Sequence, residues 1–102
     1  MRYAGFVLFA VLLSQQSEAG ELSQDEQCTK LGDVAEQASR SRLEGLNMDK
    51  AIDAALGSNE NDKLGISEKR VSAAVRISYM AKMEPESMRN YYISQCKKDI
   101  LR

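Results

Sequence analysis

The side chains best equipped for chemistry are two cysteines, Cys28 and Cys96, in a chain of 102 residues that has no histidine. Three roles are open to such a pair. A metal site built on two thiolates needs histidine or further cysteine to complete its ligand set, and the chain supplies neither. A catalytic redox couple usually takes the form Cys-x-x-Cys, and these two lie far apart. In an oxidising compartment the same pair closes into a structural disulfide. The loop it would close spans about 68 residues, for which the chain-entropy model gives roughly 4 kcal/mol.

Other chemistry is harder to assemble. Without histidine, acid–base work falls to carboxylates, lysines or tyrosines. Carboxylates do recur at helical spacing, Asp33 with Glu36 and Asp49 with Asp53, but on faces that read as solvated. A catalytic pair needs burial or a close like charge to move its pKa. Serine and lysine lack a nucleophile elbow or a Ser-x-x-Lys setting, and Gly57 and Gly65 are isolated rather than part of a phosphate loop. The polar run 58–63 (SNENDK) is rich in oxygen ligands. An EF-hand register starting at Asn59 nevertheless puts Lys63 at position five and Leu64 at position six, where glycine is required. No enzyme, no metal and no cofactor is expected. Nucleic acid is not an expected ligand either, because the basic residues are not interleaved with exposed aromatics.

These residues need elements to position them. Residues 1–19 read as a secretory signal peptide: one positive charge, the apolar run AGFVLFAVLL over 4–13, then Ser17-Glu18-Ala19 with small residues where signal peptidase reads. The run is half the length of a membrane span, so no stable insertion is expected after cleavage. That places the protein in the periplasm or outside the cell. Residues 20–102 form a single domain, small enough for its core to be marginal without a staple. The net charge of −1 conceals a split: residues 20–62 carry ten acids and four bases, and residues 63–102 carry nine bases and four acids.

Four helices are expected and no strand. Ser23-Gln24-Asp25-Glu26 is a capping box. The helix it opens puts Cys28, Leu31, Ala35, Ala38 and Arg42 on one face, with Val34 beside them, and stops at Gly45. Gly32, Ala35, Ala38 and Ser39 are small enough to admit a close neighbour. Asn47 caps a short second helix with a stripe of Met48, Ala51, Ile52, Ala55 and Leu56. Ser67 caps a third over 68–82, apolar around most of its girth and therefore expected to be the central, most buried helix. Its remaining polar strip is Lys69, Ser72, Arg76 and Tyr79. Pro85 opens the fourth, whose inner face carries Met88, Tyr92 and Cys96. Met48, Met80, Met83 and Met88 read as gap-filling core. The fold class is all-α: a small four-helix bundle stapled by one disulfide between the first and last helices.

The order Cys28, Ala35, Ala38, Arg42-x-x-Gly45, Asn47-x-x-Lys50-Ala51, Val75-x-x-x-Tyr79, Pro85 and Tyr92-x-x-x-Cys96 resembles a loose group of small exported bacterial proteins. Members of that group are all-helical, carry one cysteine near each end and have no established activity. The resemblance implies export, a helical fold and a disulfide, and names no substrate.

A binding role remains. Tyrosine and arginine are enriched at interface hot spots, and Lys69, Arg76, Tyr79, Arg89 and Tyr91 make a candidate partner surface on the third helix and the start of the fourth. The alternative is that Tyr79 and Tyr92 belong to the core with their hydroxyls at its rim, while Arg76 pairs with an acid of the first two helices. The expected function is a periplasmic or secreted protein-interaction module: an inhibitor, an immunity-type protein or an accessory subunit. The alternative is a periplasmic holding chaperone or stress protein whose bundle loosens to expose apolar surface.

Overall fold

The computed structural model describes residues 22–57 and 64–101. The leader expected over 1–19 and the polar run 58–63, with its cation reading, lie outside the described residues. Four helices follow in order: α1 (Gln24–Leu43), α2 (Met48–Leu56), α3 (Glu68–Ala81) and α4 (Pro85–Leu101). A disulfide joins Cys28 of α1 to Cys96 of α4.

Local sequence accounts for each boundary. At the start of α1 the Glu26 N–H donates to Ser23 Oγ (3.2 Å) and the Ser23 N–H donates to Glu26 Oε1 (3.1 Å). Two N-terminal donors that the helix cannot satisfy itself are thus covered reciprocally. The chain leaves α1 through Gly45 at φ +93°, a conformation that favours glycine. Asn47 Oδ1 accepts from the Lys50 N–H at 2.9 Å to cap α2. Ser67 Oγ accepts from the Arg70 N–H at 3.2 Å to cap α3. Ile66 and Val71, which flank that cap, are both buried in one core cluster, as a hydrophobic staple requires. α3 ends at Lys82, a left-handed residue at φ 56°, and Pro85 begins α4 where its missing N–H costs nothing.

The packing overturns one expectation. α3 is not the hub; α1 is. α1 meets all three other helices, while α3 and α4 touch each other only slightly. The reason lies in the small residues of α1. On one side Gly32 admits α4: a Cβ added there would come within 2.7 Å of Ile93 Cδ1 and 3.2 Å of the Arg89 carbonyl oxygen. On the other side Leu31 packs with Ile66, Val71 and Ala74, and Ala38 packs with Ala51 and Val75. A helix with small residues on two faces can be approached from both. The pairings Cys28 with Cys96, Asp33 with Arg89, and Arg42 Nη2 with the Met83 carbonyl (3.0 Å) make α4 antiparallel to α1. The pairings Gln27 with Arg70 and Leu46 with Tyr79 show α3 running alongside α1 in the same direction.

Among the described residues two fully buried polar side chains, Ser39 and Ser78, sit in unequal positions. Ser78 is fully buried and its hydroxyl donates to the Ala74 carbonyl at 2.8 Å. Ser39 is equally buried, and its Oγ has no hydrogen-bond partner among the described residues. An unsatisfied buried hydroxyl costs about 1–3 kcal/mol of desolvation, and serine is a poorer helix former than alanine. Ser39→Ala is therefore expected to raise stability by about 1 kcal/mol, read as a higher urea midpoint at an unchanged m-value. Ser78→Ala should gain less, because its hydroxyl is already paired.

Candidate functional site

The five residues of the candidate surface divide into two groups. Lys69 and Arg76 are exposed on α3, and Tyr91 is exposed on α4. Tyr79 and Arg89 are committed elsewhere. The Tyr79 hydroxyl donates to the Leu46 carbonyl at 2.6 Å and so ties α3 to the α1–α2 turn. Partial burial raises its pKa, with the nearby Arg42 charge opposing. Arg89 Nε donates to Asp33 Oδ1 at 2.8 Å and lies 3.9 Å from Glu36 Oε1. Glu36 in turn pairs with Arg40 at 2.8 Å. The helix-four arginine Arg89, rather than Arg76, thus pairs with acids of α1, and both carboxylates of the Asp33–Glu36 pair serve this partly exposed network.

What the sequence did not show is a cleft between α3 and α4. Both helices rest on α1 without closing on one another, which leaves an open space of about 340 Å³. Arg70 and Cys96 lie within it, with Ile77 on the α3 side and Tyr92, Gln95 and Asp99 on the α4 side. Ile77 lines the cleft, Ala73 and Met80 stand at helical steps from it on α3, and Lys69 and Arg76 are exposed on the same helix. Tyr91 stands one turn before Gln95 on α4. Ile77 and Met80, expected in the core, are 36% and 71% exposed, and Tyr91 is 45% exposed. The apolar girth of α3 exceeds what its neighbours cover.

Arg70 is the organising side chain of the cleft. Its Nη1 donates to Gln27 Oε1, and its Nη2 lies 3.7 Å from Cys96 Sγ. Gln27 Nε2 donates to the Leu22 carbonyl at 3.1 Å, which fixes the base of this chain of contacts. Tyr92 has its pKa raised above 10.0, first by burial and further by Asp99, while Arg70 opposes the shift. A tyrosine whose folded pKa is raised contributes stability that is complete below its unfolded pKa and is lost as pH rises through the folded value. The bundle should therefore weaken above pH 10.0. Tyr92→Phe should flatten that alkaline limb, measured as the urea midpoint from neutral pH upward.

A second groove lies between α1 and α2, a trough of about 300 Å³. Its apolar floor includes Val34, Ala38 and Val75, Ala51 and Ala54 form one wall, and Gln37 lines the α1 side. Among the described residues no group of three or more His, Cys, Asp or Glu side chains is placed to hold a metal ion. No helix among them is long and apolar enough to cross a membrane.

The fold and its cleft define a class: a small all-α module tied by one disulfide, with an uncovered face on α3. No protein-family model, no curated protein and no solved structure matches the chain, so the functional reading rests on these residues.

Proposed function

We propose that the protein is an exported interaction module, of the inhibitor, immunity-type or accessory-subunit kind. Its docking surface is the α3 lip and the α3–α4 cleft, and it takes an amphipathic segment of a partner protein with acidic residues flanking an apolar face. The observation that carries this reading is the exposure of Ile77, which lines a formed cleft, and of Met80 one turn further along α3. Single exposed apolar residues are ordinary on protein surfaces. Two on one helical face, opposite an exposed tyrosine and beside Lys69 and Arg76, have the composition of an interface centre with a charged rim. The acidic character of the partner segment follows from charge: residues 64–101 hold seven bases against four acids. Export is supported by the leader pattern and by the disulfide, a bond that persists in oxidising compartments.

The holding-chaperone reading draws on a thin core. Four of the ten buried hydrophobic residues among those described are alanine, so modest loosening would expose further apolar surface. It requires suppression of client aggregation, visible as reduced light scattering at a stoichiometric ratio. The interaction module requires none.

The test places a photo-crosslinking amino acid at Met80 and, as control, at Asp53, in cells producing the full chain. The expected result is one stoichiometric adduct from position 80 and none from position 53. Ile77→Asp should weaken binding of the isolated partner by at least ~10-fold with thermal melting essentially unchanged, because Ile77 lies outside both core clusters. Equal labelling at both positions, or undiminished binding by Ile77→Asp, would remove the α3 face from consideration.

A further inference from the structure

We infer that the two sulfurs of the Cys28–Cys96 pair are chemically unequal. Cys96 is the residue through which the pair exchanges with an external disulfide or thiol, and Cys28 is the buried resolving partner.

Three observations place this asymmetry. Cys28 has no exposed surface, whereas Cys96 is half-buried and lines the cleft between α3 and α4. Thiol–disulfide exchange needs the incoming sulfur to approach along the bond it breaks, so access alone selects Cys96. The guanidinium of Arg70 lies 3.7 Å from Cys96 Sγ and is held there by Gln27. A fixed cation favours the thiolate, the form that reacts, whereas apolar burial such as that around Cys28 raises a thiol pKa. On α4 itself, Lys97 and Lys98 follow Cys96 in the chain and add positive charge, while Asp99 lines the same cleft and opposes it.

The exchange then has a fixed order. With a small disulfide such as glutathione disulfide, the Cys96 thiolate attacks one sulfur. A Cys96–glutathione bond forms, the glutathione S–S bond breaks and one glutathione thiolate leaves. Cys28 next loses its proton to water and attacks Cys96 Sγ, forming the Cys28–Cys96 bond and expelling the second glutathione thiolate. Two cysteines are oxidised and one glutathione disulfide becomes two thiols. In the reverse direction an external thiolate reaches only Cys96 Sγ and must expel the fully buried Cys28 thiolate into the core. The accessible sulfur therefore leads to the poorer leaving group, and the folded protein resists reduction.

The experiment reduces the wild-type protein, confirms its helical content by circular dichroism, and exposes it briefly to glutathione disulfide before acid quench and peptide mapping. Glutathione should be found on Cys96 over Cys28 by about 10-fold, and Arg70→Gln should slow capture at Cys96 by about 3- to 10-fold without changing Cys28. In denaturing urea the preference should vanish. Equal capture in the folded protein overturns the inference. So does a preference that survives in urea, since it would then come from Lys97 and Lys98 along the chain. The oxidised protein gives a second reading that does not depend on how well the reduced form folds. Excess reduced glutathione should yield a trapped adduct at Cys96, formed far more slowly than in urea, and an adduct at Cys28 or equal rates in the two conditions would count equally against it.

Discussion

Cys28→Ser is expected to remove roughly 4 kcal/mol of stability and to lower the melting temperature by about 15–30 °C. The bridge spans a sequence separation of 68 residues, and its loss restores to the unfolded chain the freedom of a long loop. Small domains carry only about 5–15 kcal/mol in total, so the change is a large fraction of what holds the bundle together. Position matters as well as loop length. The bond lies at the N-terminal end of α1 and in the C-terminal half of α4, and these helices form the most extensive interface in the fold. Cys28 is fully buried, so a serine there also leaves a hydroxyl in the core. Cys28→Ala separates the two effects and should lie slightly above Cys28→Ser. Cys96→Ser, on the cleft side, and wild type in reductant should fall close to Cys28→Ala. A urea midpoint for Cys28→Ser equal to wild type in oxidising buffer would show that the staple contributes nothing. Any binding at the proposed α3 surface should survive below the new melting point, because Lys69, Arg76, Ile77 and Met80 lie on a helix the bond does not enter.

The legible and the illegible parts of this fold differ in the range of the interactions behind them. Ser23, Asn47, Ser67 and Pro85 mark four helix starts, and each acts within three or four residues of itself, so the linear sequence contains the whole interaction. The small residues of α1 likewise announced a close approach at Gly32. Which helix would approach, and from which side, depends on residues 57 or more positions away, such as Arg89 and Ile93, and periodicity carries no record of them. The same limit explains α3. Its apolar girth pointed to a central position, but periodicity reports which faces are apolar, not how many neighbours arrive to cover them. With α1 taking the hub, Ile77 and Met80 were left outside. The role of Arg70 is illegible in the linear sequence for a related reason: its partners Gln27 and Cys96 lie on two other helices. Of the two readings open for Tyr79, partner surface or core with its hydroxyl at the rim, the structure shows the second: its ring packs against the Ala38–Ala51–Val75 cluster and its hydroxyl donates to the Leu46 carbonyl.

Gly32 offers the sharpest test of the α1–α4 seam, because two opposed effects meet there. In an exposed helix, replacing glycine by alanine would gain about 1 kcal/mol. Here the new methyl would lie inside contact distance of both Cγ1 and Cδ1 of Ile93 and 3.2 Å from the Arg89 carbonyl oxygen. Ile93 cannot simply swing away, since its Cγ1 is anchored at a branched carbon with few rotamers open in a helix. Overpacking of this kind costs about 1–3 kcal/mol and should outweigh the propensity gain, so Gly32→Ala is expected to destabilise by about 1 kcal/mol. Gly32→Leu, with no room at all, should cost about 3 kcal/mol. A double-mutant cycle separates the side-chain overlap from generic helix damage. In an Ile93→Ala background the side-chain overlap is gone and only the Arg89 carbonyl remains close. The cost of Gly32→Ala should then fall to a few tenths of a kcal/mol or change sign. The disulfide sharpens the comparison, because it holds α4 against α1 one turn away at Cys28 and prevents the helix from relieving the overlap by sliding. Reducing that bond should therefore lessen the penalty of Gly32→Leu relative to wild type under the same conditions. An identical penalty in oxidised and reduced protein would place the strain within α1 itself and not in the seam.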